Sequence, residues 1–335
     1  STNNSYTYTF KNLNDGTTYT IAVQAVDEAG NVSNKITKKI ATEKSGDTMQ
    51  EIIAGYNKGN RGSFSTPYTS STTNTVFTAT DWKGTSYYFA GNPTDNWVRF
   101  GGFYWRIVRV NGDGTVRLIY NGTSTTTTGA ETLADISTLS GRFNNEGDRS
   151  EYVGLKYTTG SQHGQSQNSL MLNTLQSWYS SSNLDDYAEC IDINVGFCSD
   201  RNMASGYSWS SEPSSTIYYA AHERLVNDTT PSLACTSSDI IKEPVGLITA
   251  DEVAFAGGGN FDNTSYYLYN GLSYWTMSPF YFNSRYAAVF IVASYFSYNY
   301  MDGASGVRPV INLKANTKFE GSGTTSDPYT VVGAS

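Results

Sequence analysis

Histidine is almost missing from this chain of 335 residues, and cysteine, methionine and charge are scarce: two His, three Cys, five Met and 16% charged side chains. Each shortage removes a class of function. Acid–base or metal chemistry built on imidazole has only His163 and His222 to draw on, and neither stands in a recognised constellation. The run Ala221-His222-Glu223-Arg224-Leu225 opens like a zinc-protease helix, but Val226 stands where the second histidine must be to reach a metal from the same face. There is no G-x-S-x-G elbow, and no phosphate-cradling glycine loop follows a strand; Gly257-Gly258-Gly259 comes after a helical pattern and reads as its terminator. The acidic pairs Asp185-Asp186 and Asp251-Glu252 fall in a loop and at a helix start, where solvation or capping accounts for them. No catalytic residue, cofactor or metal ligand is assigned, and the chain reads as a protein other than an enzyme.

Basic residues are also few, 22 against 30 acidic ones for a net charge of -8, which argues against nucleic acid or an anionic membrane surface as partner. No run of 18 apolar residues is present, so no membrane insertion is expected, and no signal peptide opens the chain. Beginning at Ser1 without Met, it reads as a fragment of a longer exported protein. Cys190, Cys198 and Cys235 allow at most one internal disulfide and fit no zinc spacing; the alternative is three small buried apolar residues.

What is abundant is Ser, Thr, Asn, Gly and, above all, tyrosine, with 26 of them. The length suffices for one large domain plus a small one. Residues 1–43 hold an alternating run, Tyr19, Ile21, Val23 and Ala25, between the turns Asp15-Gly16 and Ala29-Gly30-Asn31, which predicts a half-buried strand. Residues 44–79 read as a linker carrying a brief helix over Thr48–Tyr56, with a Ser/Thr-rich connection over 70–80. From residue 80 the patterning is firmer. Arg106–Val110, the turn Asn111-Gly112-Asp113-Gly114 and Thr115–Tyr120 spell a hairpin, and the turn lacks the ligand spacing of a calcium loop. Thr123–Gln167 is long and polar and reads as an insertion around the core. Asn168–Tyr179 has helical spacing with Met171, Leu172, Leu175, Trp178 and Tyr179 on one face, and a second helix starts at Thr249 with the capping box Thr249–Glu252. The fold class expected is α+β, with small antiparallel sheets, two short helices and long loops.

The most distinctive stretch is Tyr274–Lys314. From Phe280 to Tyr300 nine of twenty-one residues are aromatic, against 14% for the chain, and they are interspersed with Ser and Asn. That mixture is also the composition of antibody paratopes, where rigid amphipathic rings give contact area at little entropic cost. Trp275, Met277 and Pro279 on one side and Val307, Pro309, Val310, Ile311 and Leu313 on the other look like scaffold, as do Trp105 and Arg308. Alternation would turn Phe290, Val292 and Ser294 inward and Ile291, Ala293 and Tyr295 outward.

Two resemblances follow from these motifs. Residues 6–42 resemble the last strands of a fibronectin type III module, a β-sandwich fragment in which Leu13 and Tyr19 would form the corner. Phe100–Gly122, Glu243–Gly258 and the paired motifs YWTMSP and GVRPVINLK resemble the variable proteins of diversity-generating retroelements, over roughly residues 80–331. That family carries a C-type-lectin-type domain related to formylglycine-generating enzymes. The resemblance implies that Phe103–Val110 neighbours Arg308–Leu313 and that a surface near the C-terminus is rewritten to bind changing targets. It implies display outside the cell, on a bacterial surface or a phage particle, with an unknown protein or glycan as partner. It also implies a disulfide between Cys198 and Cys235.

The ligand-binding residues expected on this reading are Phe280, Tyr281, Ser284, Arg285, Tyr286, Ala288, Ile291, Ala293, Tyr295, Tyr298, Asn299, Tyr300 and Asp302, all solvent-accessible and forming one patch. Such retroelements mutate template adenines, and an Asn codon changed at its adenines never yields Lys, Glu, Gln, Met or Trp. None of the five occurs from Phe280 to Tyr300. The sugar-binding tripeptides of animal C-type lectins are absent, Glu243-Pro244-Val245 being a near miss, and the oxidase cysteine has no counterpart. The alternative is an invariant glycan-binding adhesin or a structural surface module of the same fold.

Overall fold

The arrangement comes from a computed structural model that describes residues 6–14, 17–42, 46–127 and 141–334. The expected turn at Asp15-Gly16 lies outside the described residues. The chain divides into two units, Ser1–Asp47 and Thr48–Ser335.

The first unit is an antiparallel hairpin of β1 (Thr18–Val23) and β2 (Ile36–Ala41). The Tyr19 hydroxyl accepts a 2.8 Å hydrogen bond from the Asn14 backbone N–H, whereas Leu13, expected beside it in the corner, is exposed. Burial falls short of the expectation. Tyr19 and Ile21 are half-buried, whereas Val23 and Ile36 are exposed; the unit holds one two-stranded sheet among its described residues, with no second sheet of its own to cover it.

The second unit is mixed α+β, mostly strands with a few short helices. Helix α1 (Met49–Ala54) starts from a capping box in which Thr48 and Glu51 satisfy each other's backbone N–H groups. Strand β3 (Asn57–Gly59) then pairs in parallel with β4 (Thr75–Asp81), which pairs with β5 (Gly84–Tyr88). Residues 48–81 are therefore part of the domain and not a linker: Val76 and Phe77 are buried core residues hidden in a Ser/Thr-rich sequence.

The largest sheet centres on β7 (Phe103–Val110), which pairs with β5, with β6 (Trp97–Phe100) and, across the turn, with β8 (Val116–Tyr120). The turn closes as its residues dictate. The Asn111 backbone N–H donates to the Thr115 carbonyl, Gly114 takes φ +86°, and Asp113 accepts from the Thr115 hydroxyl. A bulge between Ile107 and Arg109 breaks the alternation, and Arg109 and Arg117 are buried opposite each other. Both are held by carboxylates from elsewhere in the chain. Arg109 reaches Asp81 and Glu252 at 2.9 Å each, and Arg117 reaches Glu252 at 2.7 Å.

Helix α2 (Leu170–Ser181) is capped by Ser169 and buries Met171, Leu172, Leu175, Trp178 and Tyr179. The preceding polar stretch is no simple insertion, since Phe143, Val153 and Leu155 are fully buried. After β9 (Thr216–Tyr218) comes α3 (Ala250–Ala256), which has the Thr249–Glu252 capping box and ends at Gly257, φ +131°. A four-stranded sheet joins β9, β10 (Tyr274–Asn283), β11 (Ala287–Val292) and β12 (Phe296–Tyr300) in that order. Strand β13 (Val310–Leu313) returns to the large sheet, followed by β14 (Lys318–Glu320) and β15 (Tyr329–Val331). Strand β13 pairs with β8, so Phe103–Val110 is one strand removed from 308–313; the tight turn lays β8 along the edge of β7 that β13 was expected to take. The terminal strand β15 runs parallel to β6.

Cys198 and Cys235 are disulfide-bonded, and burial pushes the free Cys190 thiol up. Trp105, Trp275 and Arg308 are buried. Arg308 donates to the carbonyls of Tyr120 and Leu268 and to Asn121 Oδ1, tying 308 to the hairpin of β7 and β8. No helix among the described residues is long and apolar enough to cross a membrane.

Candidate binding surface

Strands β10, β11 and β12 present most of the expected residues on one sheet, and the register decides which face each one takes. Ala288 is opposite Tyr281 on one side and Tyr300 on the other, and Phe290 is opposite Tyr298. Residues directly opposite share a face, so Tyr281, Ala288, Phe290, Tyr298 and Tyr300 point the same way. Between Pro279 and Tyr281 the register slips, leaving Phe280 and Tyr281 together against Ala288. This bulge brings two consecutive aromatic side chains onto one face, where simple alternation would separate them.

The rings then touch in sequence. Phe280 lies 4.8 Å from Tyr298 and 4.6 Å from Phe290, and Tyr281 lies 4.9 Å from Tyr298. Tyr300 is 5.9 Å from Tyr298 and 5.4 Å from Tyr286, and the Arg285 guanidinium covers the Tyr286 ring at 5.0 Å. The hydroxyls of Tyr281 and Tyr300 meet at 3.2 Å above Ala288, and Asn283 donates to Tyr300 at 3.2 Å. Burial pushes the Tyr281 phenol up, and the Tyr298 and Tyr300 hydroxyls add to it.

Three residues that the sequence reading missed extend this row. Tyr218, opposite Tyr281 across β9, lies 5.9 Å from it and 4.3 Å from His222, whose ring is 4.7 Å from Phe280. Tyr207 follows at 5.6 Å from Tyr218. The signal in the sequence is slight: the i, i+4 pair Tyr218 and His222 shares a side only because a strand gives way to a helical turn at Ala220–His222.

The thirteen expected residues do not all reach solvent. Ser284, Arg285, Tyr295, Tyr298 and Asp302 are exposed, and Phe280, Tyr286, Ala293, Asn299 and Tyr300 are half-buried. Tyr281, Ala288 and Ile291 are buried, at 8%, 0% and 8% exposure, which corrects the expectation for all three. Tyr281 and Ala288 lie under their neighbours' rings. Ile291 is on the opposite face with Val289 and packs into the main core, while Phe290, expected to turn away, is the floor of the ring cluster. Asn299 also belongs to the opposite face, where its amide donates to Ala304 O and the Ser305 hydroxyl and holds the loop after β12. Tyr295 and Ala293 are on the β11–β12 connection, and Tyr295 makes no ring contact among the described residues.

No protein-family model, curated protein or solved structure matches this chain.

The β10–β11 turn is held by Asn283, whose side chain accepts from the backbone N–H of Arg285 and Tyr286. Ser284 sits at φ +72°, a left-handed conformation that costs a non-glycine L-residue about 1–2 kcal/mol. Ser284→Gly is expected to stabilise the protein by about 0.5–1 kcal/mol after the extra entropy of glycine in the unfolded chain is set against it. Denaturant unfolding of the two proteins measures the difference, and a destabilised glycine variant would show that the serine hydroxyl is needed in the turn.

His222 supplies a pH dependence. Burial holds its imidazole below the ordinary value of 6.5, against the opposing pull of Glu223. The folded pKa is lowered, so the unfolded chain binds the proton more readily; the stabilisation is fully present above pH 6.5 and falls away as pH drops below it. His222→Phe, which keeps a ring beside Phe280 and Tyr218, is expected to flatten stability between pH 7 and pH 5 relative to the parent. Urea midpoints across that window test this.

Proposed function

We propose that the face of β10–β12 is a binding surface for a macromolecular partner and that a diversity-generating retroelement rewrites part of it. The observation that carries this reading is the unbroken row of rings from Tyr286 through Tyr300, Tyr298, Phe280 and His222 to Tyr218, raised by one bulge on a sheet that is core on its other side. Aromatic and arginine side chains supply most of the energy at protein interfaces, and a row of rings with hydroxyl groups along one edge offers both contact area and hydrogen bonds. Tyr298 is the exposed ring of this row, and Tyr286, Tyr300, Phe280 and Tyr218 are half-buried. A retroelement could change Ser284, Arg285, Tyr298 or Asp302 without disturbing the rings beneath.

The absence of Lys, Glu, Gln, Met and Trp from Phe280 to Tyr300 supports diversification from Asn codons. The proposed setting is a C-type-lectin-type domain displayed on a bacterial surface or phage particle, with binding and not catalysis as the activity. Both histidines have structural surroundings that suit this: His163 pairs with Asp239 at 2.7 Å, and His222 is packed between the Tyr218 and Phe280 rings. Sequencing around the gene tests the diversification directly. A reverse transcriptase beside a near-identical repeat of codons 280–304, differing at adenines, is the expected finding; an isolated gene with no such repeat would contradict it.

A further inference from the structure

We propose that the free edge of β1 pairs with the same edge of a second copy of this chain, joining two hairpins into one four-stranded antiparallel sheet. The pairing uses residues 18–23 alone and is independent of the reading given to the 280–304 surface.

The register shows which backbone groups are open. The Thr42 N–H donates to the Thr17 carbonyl at 3.0 Å, and hydrogen-bonded pairs recur at every second residue of an antiparallel ladder. Tyr19, Ile21 and Val23 are therefore the β1 residues bonded to β2, and the N–H and C=O groups of Thr18, Thr20 and Ala22 point away from it. The sheet has no third strand, and among the described residues nothing bonds to those outward groups. A two-stranded hairpin is marginal in water; three or more strands with an apolar face are needed for independent stability.

Charge decides the occupant. Proteins guard exposed sheet edges with lysine or proline. Strand β2 is guarded in this way by Lys38 and Lys39, whereas β1 reads Thr-Tyr-Thr-Ile-Ala-Val, without charge, Pro or Gly. Two antiparallel copies of β1 with their two-fold axis at Thr20 set Thr20 opposite the second copy's Thr20 and Thr18 opposite its Ala22. The outward N–H groups of each copy then meet the outward carbonyls of the other. On the opposite face Tyr19 meets the second copy's Ile21, an aromatic–β-branched pair that favours the pairing. The same operation on β2, whose outward residues are Thr37, Lys39 and Ala41, sets Lys39 against its own copy, which is unfavourable. A patch that matches itself without repulsion is what a two-fold dimer requires.

Sedimentation equilibrium and hydrogen exchange on the whole chain test the proposal. A monomer–dimer equilibrium with a Kd of about 10–100 µM is expected, as for a small transient interface. The amides of Thr18, Thr20 and Ala22 should exchange at least about threefold more slowly at about 500 µM chain than at about 5 µM. Ala22→Pro removes an N–H that the hairpin does not use, and proline is tolerated at a sheet edge but not between two strands, so association should weaken at least about tenfold. Thr37→Pro, the same change directly across on the outer edge of β2, should leave the Kd within about twofold. A monomer at all concentrations up to about 500 µM, a dimer in which Thr18, Thr20 and Ala22 exchange no more slowly, or an Ala22→Pro dimer no weaker than that of Thr37→Pro would each overturn it. Should Ala22→Pro lose the hairpin, seen as fast exchange at Tyr19 and Ile21, the concentration dependence of exchange in the unaltered chain decides.

Discussion

Glu252→Gln is expected to destabilise the protein by about 3–5 kcal/mol, the cost of breaking a buried ion pair by removing one partner. Glu252 is 2% exposed and lies between two arginines that are as deeply buried, Arg109 at 2.9 Å and Arg117 at 2.7 Å. Glutamine keeps the volume and can still accept the Thr249 N–H that completes the helix cap, so the substitution isolates the charge. Asp81 would then face both guanidinium groups, though it reaches only Arg109. Acid should reproduce part of the loss in the parent protein. Burial raises the Glu252 pKa, but Arg117, Arg109 and the Thr249 N–H outweigh it and leave the carboxyl below its ordinary 4.5. The stabilisation is therefore present above pH 4.5 and is lost as pH falls through the lower folded value. Guanidinium unfolding of parent and variant at pH 7, followed by a pH series, checks both statements; equal midpoints at pH 7 would mean that the network adds nothing.

Trp275→Ala should cost a similar amount, about 3–5 kcal/mol. The indole is fully buried, packs edge-on against Phe143 at 5.6 Å and donates from Nε1 to the Gly141 carbonyl at 2.7 Å. Its backbone N–H is bonded to Gly306, so the residue ties the start of β10 to the segments on both sides of it. Trp275→Phe, which keeps most of the volume but leaves the Gly141 carbonyl without its donor, should lose about 1–3 kcal/mol. If Trp275→Ala left the melting temperature unchanged, this strand would not be the fixed support of the ring surface.

Local chemistry was readable wherever it was self-contained. The Asn111–Gly114 turn, the Thr249–Glu252 capping box and the apolar face of α2 all follow from residues within four positions of one another. What could not be read is set by distant partners or by parity. Strand β4 hides in a Ser/Thr-rich run because Val76 and Phe77 alone mark it as buried. Arg106, Arg109 and Arg117 look like the wet side of a hairpin, and they are buried because Asp81, Asn96 and Glu252 arrive from other elements. The bulge at Phe280 and Tyr281 adds one residue to β10 and moves those after it to the other face. In β11 the alternation itself holds; Ile291, expected on the surface, is core because it shares a face with the buried Trp275. Tyr207, Tyr218 and His222 join the site from some sixty to eighty positions away, through a strand pairing that no nearby pattern announces.

Exposed positions on the ring surface are expected to be free to change while the rings' support is not. Two libraries decide it, each drawn from the residues that an Asn codon mutated at adenines can encode. One varies Arg285, Tyr298 and Asp302, and the other varies Tyr281, Ala288 and Ile291. Melting temperatures of purified members are the measurement. The first library is expected to keep the parent's stability to within about 0.5 kcal/mol per substitution, and the second to lose about 2–5 kcal/mol in most members. Widespread unfolding in the first library, or indifference in the second, would contradict the account.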